Sequence, residues 1–97
     1  MLAGPWDRIP GMGEVTLRYW ASAAAAAGVD SDVVNLPPGA TLAEVKALAV
    51  SLHPTPRFKD VLACCSVLIG DRPANGDDSW AVPDGASVEF LPPFAGG

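Results

Sequence analysis

The stretch TLAEVKALAVSLHP, Thr41 to Pro54, decides the fold class. Thr41 followed three residues later by Glu44 forms a capping box. The threonine oxygen accepts from a free backbone N–H of the first helical turn, and the glutamate reaches back to the cap. Leu42, Val45, Leu48, Ala49 and Leu52 then recur on one helical face, and His53-Pro54 stops the helix. If Leu48 and Leu52 are both core, truncating either to Ala costs roughly 2–5 kcal/mol, which is severe for a small domain.

Working upstream, Glu14 to Trp20 alternates, with Val15, Leu17 and Tyr19 on one face and Thr16, Arg18 and Trp20 on the other. Period two predicts a half-buried strand. Ser22 is positioned to cap the alanine run Ala23 to Ala27, and Gly28 sits where that helix stops. At under two turns it needs tertiary contacts to hold it. Val33, Val34 and Leu36 suggest a second strand, closed by Pro37-Pro38-Gly39. Residues Met1 to Gly13 contain Gly4, Pro5, Pro10, Gly11 and Gly13 with almost no periodicity, and read as a flexible extension before a domain spanning 14–91.

Working downstream, Pro56 opens a short helix that turns Phe58, Val61 and Leu62 inward. Cys65 to Ile69 reads as a central strand and Gly70 to Ser79 as a polar, turn-rich loop. A short strand around Trp80 to Val82 precedes the Pro83-Asp84-Gly85 turn. Ser87 to Leu91 is the last strand, with Val88 and Phe90 alternating against Glu89. One main helix packed on one face of a mixed sheet makes a two-layer α+β domain. Its expected core is Val15, Leu17, Tyr19, Leu42, Val45, Leu48, Leu52, Val67, Ile69, Val88 and Phe90.

Composition agrees and excludes several functions. The chain has 97 residues, 49% hydrophobic and 18% charged, enough apolar content for one buried core. Lys+Arg number 6 against 11 Asp+Glu, a net charge of −5. That is a poor match for a phosphate backbone, so no nucleic acid partner is expected, and a basic protein surface is the more natural one. Apolar runs fall far short of the ~18 residues of a membrane span, so no membrane partner is expected either. No basic segment followed by an apolar run and cleavage site opens the chain, so cytoplasm is the expected compartment.

Few side chains suggest chemistry. Adjacent Cys64 and Cys65 read as reduced thiols, one facing the core, and with His53 they do not make a metal set. His53, at a helix end before a proline, reads as a solvated or helix-terminal histidine. Asp77, Asp78, Asp84 and Glu89 lie in or beside loops and suit solvated turns better than paired acid–base work. No glycine-rich loop joins a strand to a helix, which leaves a nucleotide cradle unsupported.

What remains is the tail over residues 92–97, following Leu91: Pro92-Pro93-Phe94-Ala95-Gly96-Gly97. Two prolines halt the last strand and extend the chain, and the closing glycines remove side chains near the carboxylate. A tail stiff at its root and thin at its tip suits threading into a narrow enzyme channel.

The run from Pro83 to Gly97 resembles the C-terminus of the small, sulfur-carrying subunit of molybdopterin synthase, the MoaD type. Val15 to Ala21, the alanine helix ending at Gly28, and Ala40-Thr41-Leu42 are also similar. The resemblance covers Glu14 to Gly97 and rests mainly on the last fifteen residues. It implies the ubiquitin-like β-grasp fold and a subunit that donates sulfur while the large subunit supplies the catalytic side chains. It implies that Gly97 is the reacting residue, since its carboxylate is ionised at pH 7 and resists a sulfur nucleophile until activated. A ubiquitin-activating-like adenylyltransferase using ATP and a sulfur donor protein would leave a thiocarboxylate there, with no cofactor or metal bound by this chain. Gly96 and Ala95 would give access. Trp20, Leu91, Pro92, Pro93 and Phe94 would meet the large subunit, which takes the sulfur to the cyclic pterin precursor in molybdenum cofactor biosynthesis. Related carriers for thiamine or cysteine synthesis also end in Gly-Gly, as do ubiquitin-like modifiers. The Pro-Pro-Phe-Ala lead-in favours molybdopterin. An interaction module with an inert tail is the reading from another class.

Overall fold

Alternation in the first strand does what a half-buried strand requires. Val15, Leu17 and Tyr19 are buried, and Glu14, Arg18 and Trp20 are exposed. The computed structural model describes residues 13–93, in the order β1 Gly13–Tyr19, α1 Ala21–Ala27, β2 Ser31–Leu36, α2 Leu42–Leu52, α3 Pro56–Cys64, β3 Ser66–Ile69, β4 Arg72–Pro73 and β5 Ser87–Leu91. The expected extension, apart from Gly13, lies outside the described residues. Gly13 itself opens β1, where a Cβ would come within 2.9 Å of the Asp84 side chain.

The strands form one mixed sheet in the order β2-β1-β5-β3-β4. β1 and β5 run parallel at its centre, with Thr16 opposite Ser87 and Tyr19 opposite Phe90. β1 is antiparallel to β2, and β3 is antiparallel to both β5 and β4. The inward side chains of β1, β5 and β3 form one core with Leu42, Val45 and Ala49 of α2 and Phe58 and Leu62 of α3. The capping box is present, with Glu44 N–H bonded to Thr41 Oγ1 and the Glu44 carboxylate 3.0 Å from the Thr41 amide.

Several expectations need correction. Leu52 is 44% exposed and Leu48 half-buried, so neither is full core. The place beneath the end of α2 is taken by the His53 ring, 5.6 Å from Tyr19 and 5.2 Å from Phe58. Ser22 does not cap α1, because the chain enters the helix directly from β1 with Trp20 as its cap and no side-chain bond. Trp80 to Val82 is not a strand. Only Ala81 bridges, to Thr41, and Pro83 ends the chance of a ladder. The small strand is instead β4, inside the stretch read as loop, where Gly70 at φ 65° turns the chain back so that Arg72 pairs with Ile69. The three expected helices all form, and α2 is the longest.

Two polar groups sit against this core. The Tyr19 hydroxyl donates to Asp32 Oδ2 at 2.8 Å, and His53 Nε2 lies 2.6 Å from the same oxygen. His53 is thus helix-terminal, as expected, but enclosed rather than solvated, its side chain only 15% exposed. Burial, then the hydrogen bond to Asp32 and its charge, push the Tyr19 hydroxyl above its ordinary value. Burial, then the Cys64 neighbour, push the Cys65 thiol from 9.0 to about 11, opposed by Lys46.

Truncating Phe58 to Ala should cost about 3–5 kcal/mol, whereas Leu52→Ala should cost well under about 1 kcal/mol. Urea unfolding of the two variants checks the ranking, and equal losses would contradict the packing described. Both raised groups stay protonated in the folded chain while the unfolded chain ionises. The Cys65 contribution is therefore complete below the ordinary thiol value of 9.0 and is lost as pH rises through about 11, and that of Tyr19 is complete below 10.0 and is lost at still higher pH. Urea midpoints should fall across that alkaline window, and Cys65→Ala should flatten the fall.

Candidate functional site

The tail leaves the sheet at the end of β5, and the neighbours of that strand define its root. Antiparallel pairing sets Leu91 opposite Ser66, and parallel pairing sets Phe90 opposite Tyr19. Trp20 follows Tyr19 at the same end of the sheet and donates its backbone N–H to the Phe90 carbonyl at 3.2 Å. The sheet therefore brings Trp20, Leu91 and Pro92 together. Trp20 is 43% exposed, Leu91 and Pro92 are half-buried and Pro93 is exposed. Phe94, Ala95, Gly96 and Gly97 lie outside the described residues.

Trp20 is held rather than loose. Its indole Nε1 donates to Glu89 Oε1 at 2.9 Å, and the Arg18 guanidinium lies 5.2 Å from its ring centroid. Arg18 and Glu89 are cross-strand partners, so the three side chains share one patch on the sheet face away from the helices. A cation over an indole is worth roughly 0.5–1 kcal/mol at an exposed site. Sequence reading singled out Trp20 but missed Arg18 and Glu89. Only a parallel pairing of first and last strands, which no local signal announces, places them side by side.

Beneath the root, the helix-facing side is rigid. Phe90 stacks on Tyr19 at 5.8 Å between centroids, and Tyr19 meets Phe58 edge-on at 5.4 Å. On the β3 side a shallow cavity of about 500 Å³ is lined by Leu91, Ser66, Cys65, Leu68, Ala74 and Lys46. Lys46 is paired with Asp78 at 2.7 Å. Cys64 is exposed and Cys65 half-buried, in line with one thiol facing the core. Among the described residues no three His, Cys, Asp or Glu side chains gather as a metal set, and no helix is long and apolar enough to cross a membrane. The arrangement holds a strand end in a fixed direction and presents an aromatic, charged rim beside it.

No family model matches the chain. It is 26% identical over 84 residues to the molybdopterin synthase sulfur carrier subunit of Chlamydomonas reinhardtii, covering 87% of this chain and 99% of that one. Among solved structures it is similar to small archaeal modifier protein 1 of Haloferax volcanii, with TM-score 0.75, 22% identity, and 88% and 100% of the two chains covered. It is also similar to a chain of the complex of subunits 1 and 2 of the molybdopterin-converting factor from Helicobacter pylori, with TM-score 0.60, 20% identity, and 87% and 99% covered. The chain has the ubiquitin-like β-grasp fold, and its resemblance to the sulfur-carrying subunit of molybdopterin synthase is borne out across the domain.

Proposed function

We propose that this chain is the small, sulfur-carrying subunit of a molybdopterin synthase, with Gly97 as its reacting terminal residue. The observation that carries the reading is the tail root. β5 is locked between two strands, and Leu91-Pro92-Pro93 leaves it beside the exposed Trp20. The Chlamydomonas reinhardtii relative supports it. A Gly97 carboxylate oxygen attacks the α-phosphate of ATP on an adenylyltransferase, releasing pyrophosphate and leaving an acyl adenylate. Sulfide-level sulfur delivered by a donor protein attacks the acyl carbon, displaces AMP and leaves a thiocarboxylate. In the large subunit the thiocarboxylate sulfur bonds to the pterin precursor, and water then cleaves the acyl carbon–sulfur bond, so the sulfur stays on the pterin and the carboxylate returns. This chain contributes reach and a docking rim, and its partners contribute the catalytic groups.

The large subunit is the proposed partner because the Helicobacter pylori structure is a complex of two such subunits. Trp20, Leu91, Pro92, Pro93 and Phe94 are the proposed contacts. A ubiquitin-like modifier is the second reading, favoured by the likeness to small archaeal modifier protein 1. Mass spectrometry of the chain isolated from its own cells separates the two. Gain of the mass difference between sulfur and oxygen supports the carrier, and a ladder of heavier conjugates supports the modifier.

Deleting Gly97 shortens the reach by roughly 3.5 Å. A reacting atom misplaced by even ~1 Å can cost about a hundredfold in rate. The variant should keep its melting temperature yet fail to acquire sulfur in a reconstituted assay. Sulfur loading at the parent rate would overturn the carrier reading. Phe94→Ala and Trp20→Ala should each weaken binding to the large subunit by about tenfold or more in a calorimetric titration, as truncated aromatic anchors do. Glu14→Ala, at the far end of β1, should leave the affinity unchanged.

A further inference from the structure

β2 is an edge strand, flanked by β1 on one side only among the described residues. Its register fixes which backbone groups look outward. Tyr19 donates its N–H to the Asp30 carbonyl at 2.9 Å, and the pairs Leu17–Asp32 and Val15–Val34 continue that alternation. Thr16 and Trp20 turn their N–H groups the other way, to Ala86 and Phe90 carbonyls at 3.1 and 3.2 Å. Ser31, Val33 and Asn35 therefore direct their N–H and C=O groups out of the sheet. All three side chains are exposed, and Val33, at 60%, is the most exposed large apolar side chain among the described residues.

These three residues are self-complementary about Val33. A two-fold axis through Val33 pairs it with Val33 of a second copy and pairs Ser31 with Asn35 in both directions. Every outward N–H then meets an outward carbonyl, apolar faces apolar, and hydroxyl faces amide. The charges behind the edge match as well. Arg18 pairs with Ser31 and Glu14 with Asn35, both exposed on the same sheet face. Each row across the joint runs Arg18, Ser31, then Asn35 and Glu14 of the second copy. That sets opposite charges about 14 Å apart at the backbone, over two small side chains. On the other face Asp32, already bonded to Tyr19 and His53, meets Val34 of the second copy rather than its own counterpart.

We infer that two copies of this chain associate edge to edge, through antiparallel β2 pairing centred on Val33, into one continuous sheet. Pro37, which has no N–H to donate, ends the joint. A joint of five β2 residues per strand, Ser31 to Asn35, is small beside permanent interfaces, so the dimer is weak and concentration-dependent. β5 is separated from β2 by β1, which leaves both tails free, and the inference stands apart from the sulfur-carrier reading.

Amide hydrogen exchange of the full chain, followed by NMR at about 20 μM and about 1 mM, tests it. The amides of Ser31, Val33 and Asn35 should slow severalfold at the higher concentration, while Asp32 and Val34, bonded to β1, stay unchanged. Val33→Lys should abolish the concentration dependence, since like charges face each other across the joint, and Val33→Ile should retain it. Both variants alter an exposed side chain and should keep the parent melting temperature. Fast exchange at every concentration would overturn the inference. So would equal protection at both concentrations, which would mean that the chain's own residues cover the edge. Protection that survives Val33→Lys would overturn it too.

Discussion

The parallel pairing of β1 with β5 is the constraint on which the rest of the structure depends. Parallel neighbours cannot be joined by a tight turn, so everything between them must cross over the sheet and return. That requirement puts α1, α2 and α3 on one face and leaves β3 and β4 to extend the far side. It also makes β5 a central strand, with Val88 and Phe90 fully buried. The strand that completes the core is therefore the strand that carries the tail. Loosening the tail root would mean opening the hydrophobic core, which is why an appendage one residue beyond β5 begins from a fixed point.

Local chemistry made much of this legible in the sequence. Thr41 and Glu44 announced the cap of α2, Gly28 announced the left-handed end of α1, and Pro56 announced α3. Strict alternation assigned the inward faces of β1 and β5 correctly. The failures share one cause, which is dependence on partners distant in sequence. Leu52 lies on the apolar stripe of α2, but His53 and Phe58 fill the space beneath the helix end. β4 contains a proline and no β-branched residue, and exists only because Gly70 turns it onto β3. The Tyr19–Asp32–His53 contact joins three elements whose sequence positions carry no mutual signal.

The candidate site divides the same way. Trp20 and Leu91 stood out as apolar residues near strand ends, and the sheet does set them at one end. Arg18 and Glu89 looked like ordinary solvated members of alternating strands. Their role in holding the indole emerges only when β1 and β5 lie side by side. An acidic chain thus carries a locally mixed rim, with a cation, an indole and a carboxylate within one patch. A partner that matches it needs an aromatic-accepting hollow with charges of both signs, not merely a basic surface.

A fixed root turns the proposed chemistry into a question of reach. Leu91 pairs with Ser66 of β3, its neighbour Phe90 pairs with Tyr19 of β1, and Pro92 and Pro93 restrict the directions the chain can take next. Six residues follow Leu91, and fully extended they span at most about 21 Å. On the sulfur-carrier reading, two enzymes in turn must bring their reacting groups within that radius of one point on the sheet. Each must also seat the rim that Trp20 presents at the same sheet end. Affinity for the folded rim and access to the terminal carboxylate are therefore coupled through a tail of six residues with a fixed root. A carrier of this kind needs no catalytic side chain of its own, because its fold does the positioning that would otherwise cost entropy at each encounter.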